Sequence, residues 1–322
     1  MRGLVFCLAV SVSCVFAATR YVALNGGDIP PYTNWASAAR SVHTAVAAAQ
    51  AGDTVILSNG TYYLSETVQL TKDITLTSLS GPLQTILNGS NAVQVVEMNS
   101  ASAVLSRLTI TRGNNPNMPG GVRCINGLVD QCVIISNAAP GNGGGAMYVG
   151  HNGKVYNTLM CYNSSDRGGG VYTDRGTFIN CTIVRNTATS GSQGGGIAVR
   201  EGPTRIINSI LYNNAVGNLY SYGGQVICEY SCVTPLPAGQ GNITNDPLFV
   251  NSTSDFHLAM TSLCRDAGTN LPELAATTDL DGHARVQGGR VDMGAYEFGG
   301  IHLSITSAPV TLAHSSTDIG IA

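Results

Sequence analysis

Apolar residues fill positions 4–16 almost without a break, behind one charge at Arg2. Val15 and Ala17 are the small residues expected before a cleavage site. Residues 1–17 therefore read as a secretory signal peptide, too short to cross a bilayer as a helix. Lipid attachment at Cys14 is the weaker alternative, because Ser11-Val12-Ser13 lacks the usual leucine. Over residues 36–49 the pattern becomes helical, with Ala39, Val42, Val46 and Ala49 on one face. Asn34 or Ser37 can cap its start, and Gly52 ends it. Residues 18–53 thus predict a strand and a capping helix. From residue 54 the apolar positions fall into short β-forming runs at 54–57, 74–77 and 85–87. Asn59-Gly60 and Ser80-Gly81-Pro82 separate them.

Over residues 104–233 the pattern repeats. Glycine clusters end at Gly121, Gly145, Gly170 and Gly196, at spacings of 24, 25 and 26. Each is followed by a β-rich run (VRCI, AMYV, VYTD, IAVR), a second glycine (Gly127, Gly153, Gly176, Gly202) and a second strand. An apolar-x-x-Asn motif then ends at Asn137, Asn163, Asn186 or Asn213. A β-rich repeat of this length predicts an all-β chain, a right-handed parallel β-helix with one coil per repeat over residues 54–234. A short helix before it suits a cap, since an open solenoid end exposes unpaired backbone.

Coils stack roughly 4.8 Å apart, so equivalent residues form ladders. The four asparagines are expected to stack at a turn. Alternation predicts that Val122, Ala146, Val171 and Ile197 face the core, as do Cys124, Tyr148, Thr173 and Val199. Arg123, Met147, Tyr172 and Ala198 should face out. Cys132 and Cys181 share a ladder with Thr158 and Ser209. Being two coils apart, about 9.6 Å, they cannot bridge. The period breaks at Pro235 and Pro237, and residues 235–300 are expected to finish and cap the helix. Residues 301–322 alternate like a truncated β module or linker, too short to fold alone, which predicts a longer natural chain.

Composition narrows the function. Charged residues make up 11% of the chain, against roughly 25% in ordinary domains. With a net charge of -3 there is no basic footprint for nucleic acid. Seven cysteines follow the leader, an odd number with no zinc-site spacing. They read as small buried hydrophobes, with a Cys228–Cys232 bridge as the lesser alternative.

These residues carry a resemblance. GDTVILSNGTYYL, DITLTSLSG and TILNG resemble the start of secreted parallel β-helix proteins of the pectin-lyase-like superfamily. The GG-[AVI] tripeptides at 144–146, 169–171 and 195–197 are similar to repeats of polymorphic outer-membrane adhesins. NDPLFV, DFHL, SLCRDAG, DLDGHAR and VDMGAYE resemble the C-terminal region of bacterial choice-of-anchor Q surface proteins. That set departs once, with Ser262-Leu263-Cys264 in place of Ser-Pro-Cys. Together the resemblances cover roughly residues 20–298. They imply a β-helix and an exported, surface-associated life, with no particular reaction. The Asn-Thr-Asp, Asp-Asp, Gly-His-Gly and Arg-Ile-Lys motifs of pectin-type hydrolases do not occur.

Stacking can still gather distant residues. His151, Asp174, Arg175, Arg200 and Glu201 are predicted to share one patch on neighbouring rungs. Asp174, Glu201 and His151 are the catalytic candidates there. Tyr172, Arg175 and Arg200 are the ligand-binding candidates, suited to an acidic sugar. The plainer reading is a charged strand end that solvates the surface, with Tyr172 as a packing partner. Asp246, Asp255, Asp266, Asp279, Asp281, Asp292 and Glu297 are expected to cap turns and pair with Arg265, Arg285 and Arg290. No metal site or cofactor is expected, and a structural calcium at DLDG is the alternative. The sequence thus points to a secreted or cell-surface module for adhesion or carbohydrate binding, meeting extracellular polysaccharide or a surface glycan without cleaving it. The alternative is a polysaccharide lyase or glycoside hydrolase acting on an acidic polysaccharide.

Overall fold

The computed structural model describes residues 17–190 and 194–299, and the backbone of 302–305, 310–314 and 317–320. The expected leader lies outside the described residues, apart from Ala17. The chain is a parallel β-solenoid. Most coils contribute two strands, or one long one, to a long first sheet, one to an eight-stranded second sheet, and in places one to a short third sheet. The first sheet has two tracks. One runs through Val68–Leu70, Val96–Met98, Val171–Thr173 and Ile197–Val199. The other runs through Thr54–Leu57, Thr75–Ser78, Thr177–Ile179 and Thr204–Ile207. The long strands Val122–Asp130 and Met147–Tyr156 belong to both.

Single left-handed residues turn the corners. Gln131, Asn157, Asn180 and Asn208 turn the chain from the first sheet to the second. Ser136, Tyr162, Arg185 and Asn213 turn it out of the second sheet. Asparagine recurs here because its short polar side chain tolerates this conformation better than most.

The first of the two corrections to the predicted register lies in the asparagine ladder. It runs Asn137–Asn163–Asn186–Asn214–Asn218, with Asn214 in the place expected for Asn213. Leu211, not Ile210, is the inward residue of that coil, and Asn213 is the exposed corner residue. Asn163 shows the logic of the ladder. Its Oδ1 accepts from the Asn137 backbone N–H at 2.9 Å and from Asn137 Nδ2 at 3.0 Å. Its Nδ2 donates to Asn186 Oδ1, Ile134 O and Cys161 O at 2.9–3.0 Å. Every polar atom of a buried amide is thus satisfied by the chain above, below or beside it.

The second correction lies in the first sheet. Gly121 comes so close to the next coil that a Cβ would lie 2.3 Å from the Ala146 carbonyl. Ala146, not Gly145, fills the equivalent position in that next coil, so the following residues slip by one. The inward ladder is Val122–Met147–Val171–Ile197, then Cys124–Val149–Thr173–Val199. Met147 faces the core and Tyr148 faces out, the reverse of the expectation, because a one-residue slip exchanges the two faces of a strand.

The N-terminal strand Thr19–Val22 adds to the first sheet against Thr54–Leu57. The helix is shorter than predicted, Val42–Ala48, with extended Ser41 at its start and Val42, Ala45 and Val46 buried. Asn34 accepts the Ser37 N–H in a separate turn rather than capping the helix. Lys72 caps the other end, donating to the Val46, Ala47 and Ala49 carbonyls. All seven cysteines among the described residues are free and buried. The Cys132–Thr158–Cys181–Ser209 ladder has the expected register, Cys132 N–H meeting Thr158 Oγ1 and Cys181 N–H meeting Ser209 Oγ.

Residues 248–298 do more than end the solenoid: they run back along the outer face of the second sheet. That face is apolar, with Val133, Leu159, Cys161 and Val184 clustered against Phe256, Leu280 and Ala295. Ile210 and Cys232 meet Leu258, Cys264 and Met293 further along. Polar ties fix the path: Gln131 Nε2 to Asp279 O at 2.6 Å, Gly294 N to Asn208 O at 2.7 Å, and Ala295 N to Thr182 Oγ1 at 2.9 Å. Inside this segment Arg285 and Glu297 form a fully buried ion pair at 2.9 Å. Of the three arginines expected to pair with acids here, only Arg285 does so among the described residues. Arg265 lies over the Phe298 ring and Arg290 reaches the Gly268 carbonyl. Beyond residue 300, His302–Ile305, Val310–His314 and Thr317–Gly320 pair as a three-stranded antiparallel sheet.

Candidate functional site

The outward ladder of the first sheet is Arg123–Tyr148–Tyr172–Ala198–Tyr220. Tyr172 faces outward as expected, yet it is only 8% exposed. Its ring lies 6.4 Å from Tyr148 and 6.4 Å from Tyr222, edge-on to the latter. It is the middle of an aromatic row rather than an isolated open platform. Arg167 lies over Tyr222, 5.4 Å from the ring centre, in cation–π contact.

The predicted charged rungs meet only in part. Asp174 is 1% exposed and accepts hydrogen bonds from Tyr148 Oη at 2.5 Å and Arg200 Nη2 at 2.6 Å. Arg200 is half-exposed and also approaches Glu201 at 3.8 Å. Burial works against its charge, but the Asp174 carboxylate more than offsets this and raises the Arg200 pKa. Burial, and then the same carboxylate, push the Tyr148 phenol up to about 12, so Tyr148 is a proton donor at neutral pH. Arg175 is exposed. His151 is not part of this group. It lines a separate hollow of about 380 Å³ with Asn152, Lys154 and Tyr156. Of the five residues expected in one patch, Asp174, Arg200 and Glu201 meet, and among the described residues no contact joins His151 or Arg175 to them.

What the rungs build is a cleft of about 440 Å³ walled by Arg123, Arg167, Arg200, Tyr148 and Tyr172, with residues 117–119 along one side. Among the described residues, none of its lining side chains is a carboxylate. Glu97 holds Arg123 from the neighbouring rung, and Asp174 holds Arg200 from beneath. Arg123, Arg167 and Tyr148 were missed by sequence reasoning. The signal for the first and last was present, but the slip at Ala146 had turned Tyr148 inward.

A second cavity, of about 520 Å³, opens between the second sheet and the returning segment. Its polar end is His257, held through Nδ1 by Asp255 and through Nε2 by Asp281 at 2.7 Å. Burial alone would lower the His257 pKa, but hydrogen bonds and charge from Asp281 and Asp255 raise it to about 9. Nearby, donor atoms of Asp279, Asp281 and His283 lie within 4.8 Å of one another, at the DLDG turn considered for calcium. Asp279 is already engaged as a backbone anchor, accepting the N–H groups of Asp281, His283 and Glu297.

No protein-family model matches the chain, and no curated protein does. Among solved structures it is similar to pectate lyase Pel9A, with 16% identity and a TM-score of 0.47 over 88% of this chain and 97% of that one. So distant a likeness carries nothing about chemistry. The β-solenoid assignment stands on the strand registers themselves. Among the described residues, no helix is long and apolar enough to cross a membrane.

Proposed function

We propose that this protein is an exported carbohydrate-binding module that holds an acidic polysaccharide on its first sheet without cleaving it. One observation carries the reading: the cleft is lined by three guanidinium groups and two phenols, and by no carboxylate among the described residues. Guanidinium forks suit the carboxylates of acidic sugars, and tyrosine rings suit the apolar faces of pyranoses. A glycoside hydrolase needs two carboxylates that reach the glycosidic bond. Asp174 is buried, with one oxygen taken by both Tyr148 and Arg200, and a phenol at about 12 is no ready base for a lyase. The surface-protein resemblance of residues 245–298 supports export and display at a surface.

Titration calorimetry with polygalacturonate and a neutral glucan tests this. Binding of the acidic polymer alone, weakened by salt and reduced roughly ten- to a hundredfold in Arg167→Ala or Arg200→Ala, is the expected result. A reducing-end assay with and without calcium should find no new ends. New ends that vanish in Asp174→Ala or Glu201→Ala would overturn the non-catalytic reading and make the protein a lyase or hydrolase.

A further inference from the structure

We infer that the cavity between the second sheet and the returning segment is a binding site for a small ligand with a flat apolar body and one protonated amine. Its volume, about 520 Å³, is that of a site for a small organic molecule. The walls are apolar: Val133 and Leu159 from the sheet, Phe256 and Tyr296 from the returning segment, and Tyr162 from a corner. Three aromatic rings in so small a space favour a ligand ring over an aliphatic chain.

The polar end selects charge. Both nitrogens of His257 face carboxylates, which accept but do not donate when ionised, so the ring carries both protons and a positive charge. One imidazolium between two carboxylates leaves a net negative end. Asp279, buried beside Asp281, adds to it. Three further groups face this end. His283 lies 3.5 Å from Asp279, Arg285 interacts with Asp279 but is itself paired with Glu297 at 2.9 Å, and Arg107 lines an adjoining hollow with Asp281 without forming an ion pair with it among the described residues. Asp255 and Asp281 are partly exposed, and each makes its His257 contact through one oxygen. The other oxygens can accept from an ammonium group. An anionic head would meet repulsion, and a neutral one would forgo the charge-assisted bond.

The site is separate from the arginine cleft, so the two readings fail independently. The probe is phenethylamine, compared with 2-phenylethanol and 3-phenylpropionate, by calorimetry on the whole chain. The amine should bind about tenfold more tightly than the alcohol, and the acid should bind most weakly. Asp281→Asn should erase the preference for amine over alcohol. Leu83→Trp, at an exposed position on the rim, should weaken amine and alcohol alike while leaving the melting curve unchanged. Arg200→Ala should change neither. Equal affinity for the three probes, or no saturable binding of any, would overturn the inference whatever the outcome at the cleft.

Discussion

The first and second sheets belong to the same coils yet treat their outer faces in opposite ways. In the first, an inward Val122–Met147–Val171 ladder backs an outward Arg123–Tyr148–Tyr172 ladder that lines an open cleft. In the second, Leu159–Cys161 and Thr182–Val184 are buried at every position, because residues 248–298 cover the outer side. In the first sheet Val122–Asp130 alternates and keeps a solvated face, although Val171–Thr173 and Ile197–Val199 are buried throughout; a strand buried on both faces needs a cover on each. The cover then becomes part of the fold, and the cleft stays free for function.

The strongest way to break this comparison is to loosen the cover. Arg285→Ala leaves Glu297 buried without its partner and should cost about 3–5 kcal/mol in urea unfolding, with dye binding to the bared second sheet. Replacing the pair together, Arg285→Met with Glu297→Leu, should recover much of that loss, since well-packed apolar residues can substitute for a buried ion pair. An unchanged midpoint in the single variant would mean that the second sheet does not depend on its cover.

Next in size is the asparagine ladder at the turn out of the second sheet. Asn163→Ala should cost about 1–3 kcal/mol, because its removal strands the groups it bonds in the adjacent coils. Asn213→Gly, at the exposed left-handed corner, should leave the midpoint almost unchanged. The same denaturation series compares them, and equal losses would dismiss the Asn214 register.

The smallest expected effect is on pH dependence. The His257 pKa is raised to about 9 in the fold, against roughly 6.5 in the unfolded chain. Its stabilisation is therefore complete below about pH 6.5 and is lost as pH rises through 9. Partial exposure keeps it modest. Melting temperatures should fall across that window in the wild type and fall less in His257→Gln. Parallel curves would show that the two carboxylates do not hold the ring as described.

Much of this architecture was legible in the residues. Glycine clusters, second glycines and apolar-x-x-Asn motifs are local requirements of tight corners and satisfied amides, so they mark each coil wherever it lies. Register was harder to read. Ala146 fills a place that glycine holds in the coils on either side, and counting glycines therefore turned Met147 and Tyr148 to the wrong faces. Asn213 and Asn214 are adjacent asparagines with opposite fates, and only the bonds to Asn186 and Asn218 distinguish them.

The sequence by itself determined the class of fold, the coil length and which stretches are strands, because these follow from turn chemistry and short-range alternation. Tertiary structure alone decided that Arg123, Arg167 and Arg200 share a cleft, that Asp174 is sealed, and that His257 meets Asp281. Those partners are separated by one or more coils or by a returning segment, so their meeting depends on stacking register and on the path of a cover that no local pattern encodes.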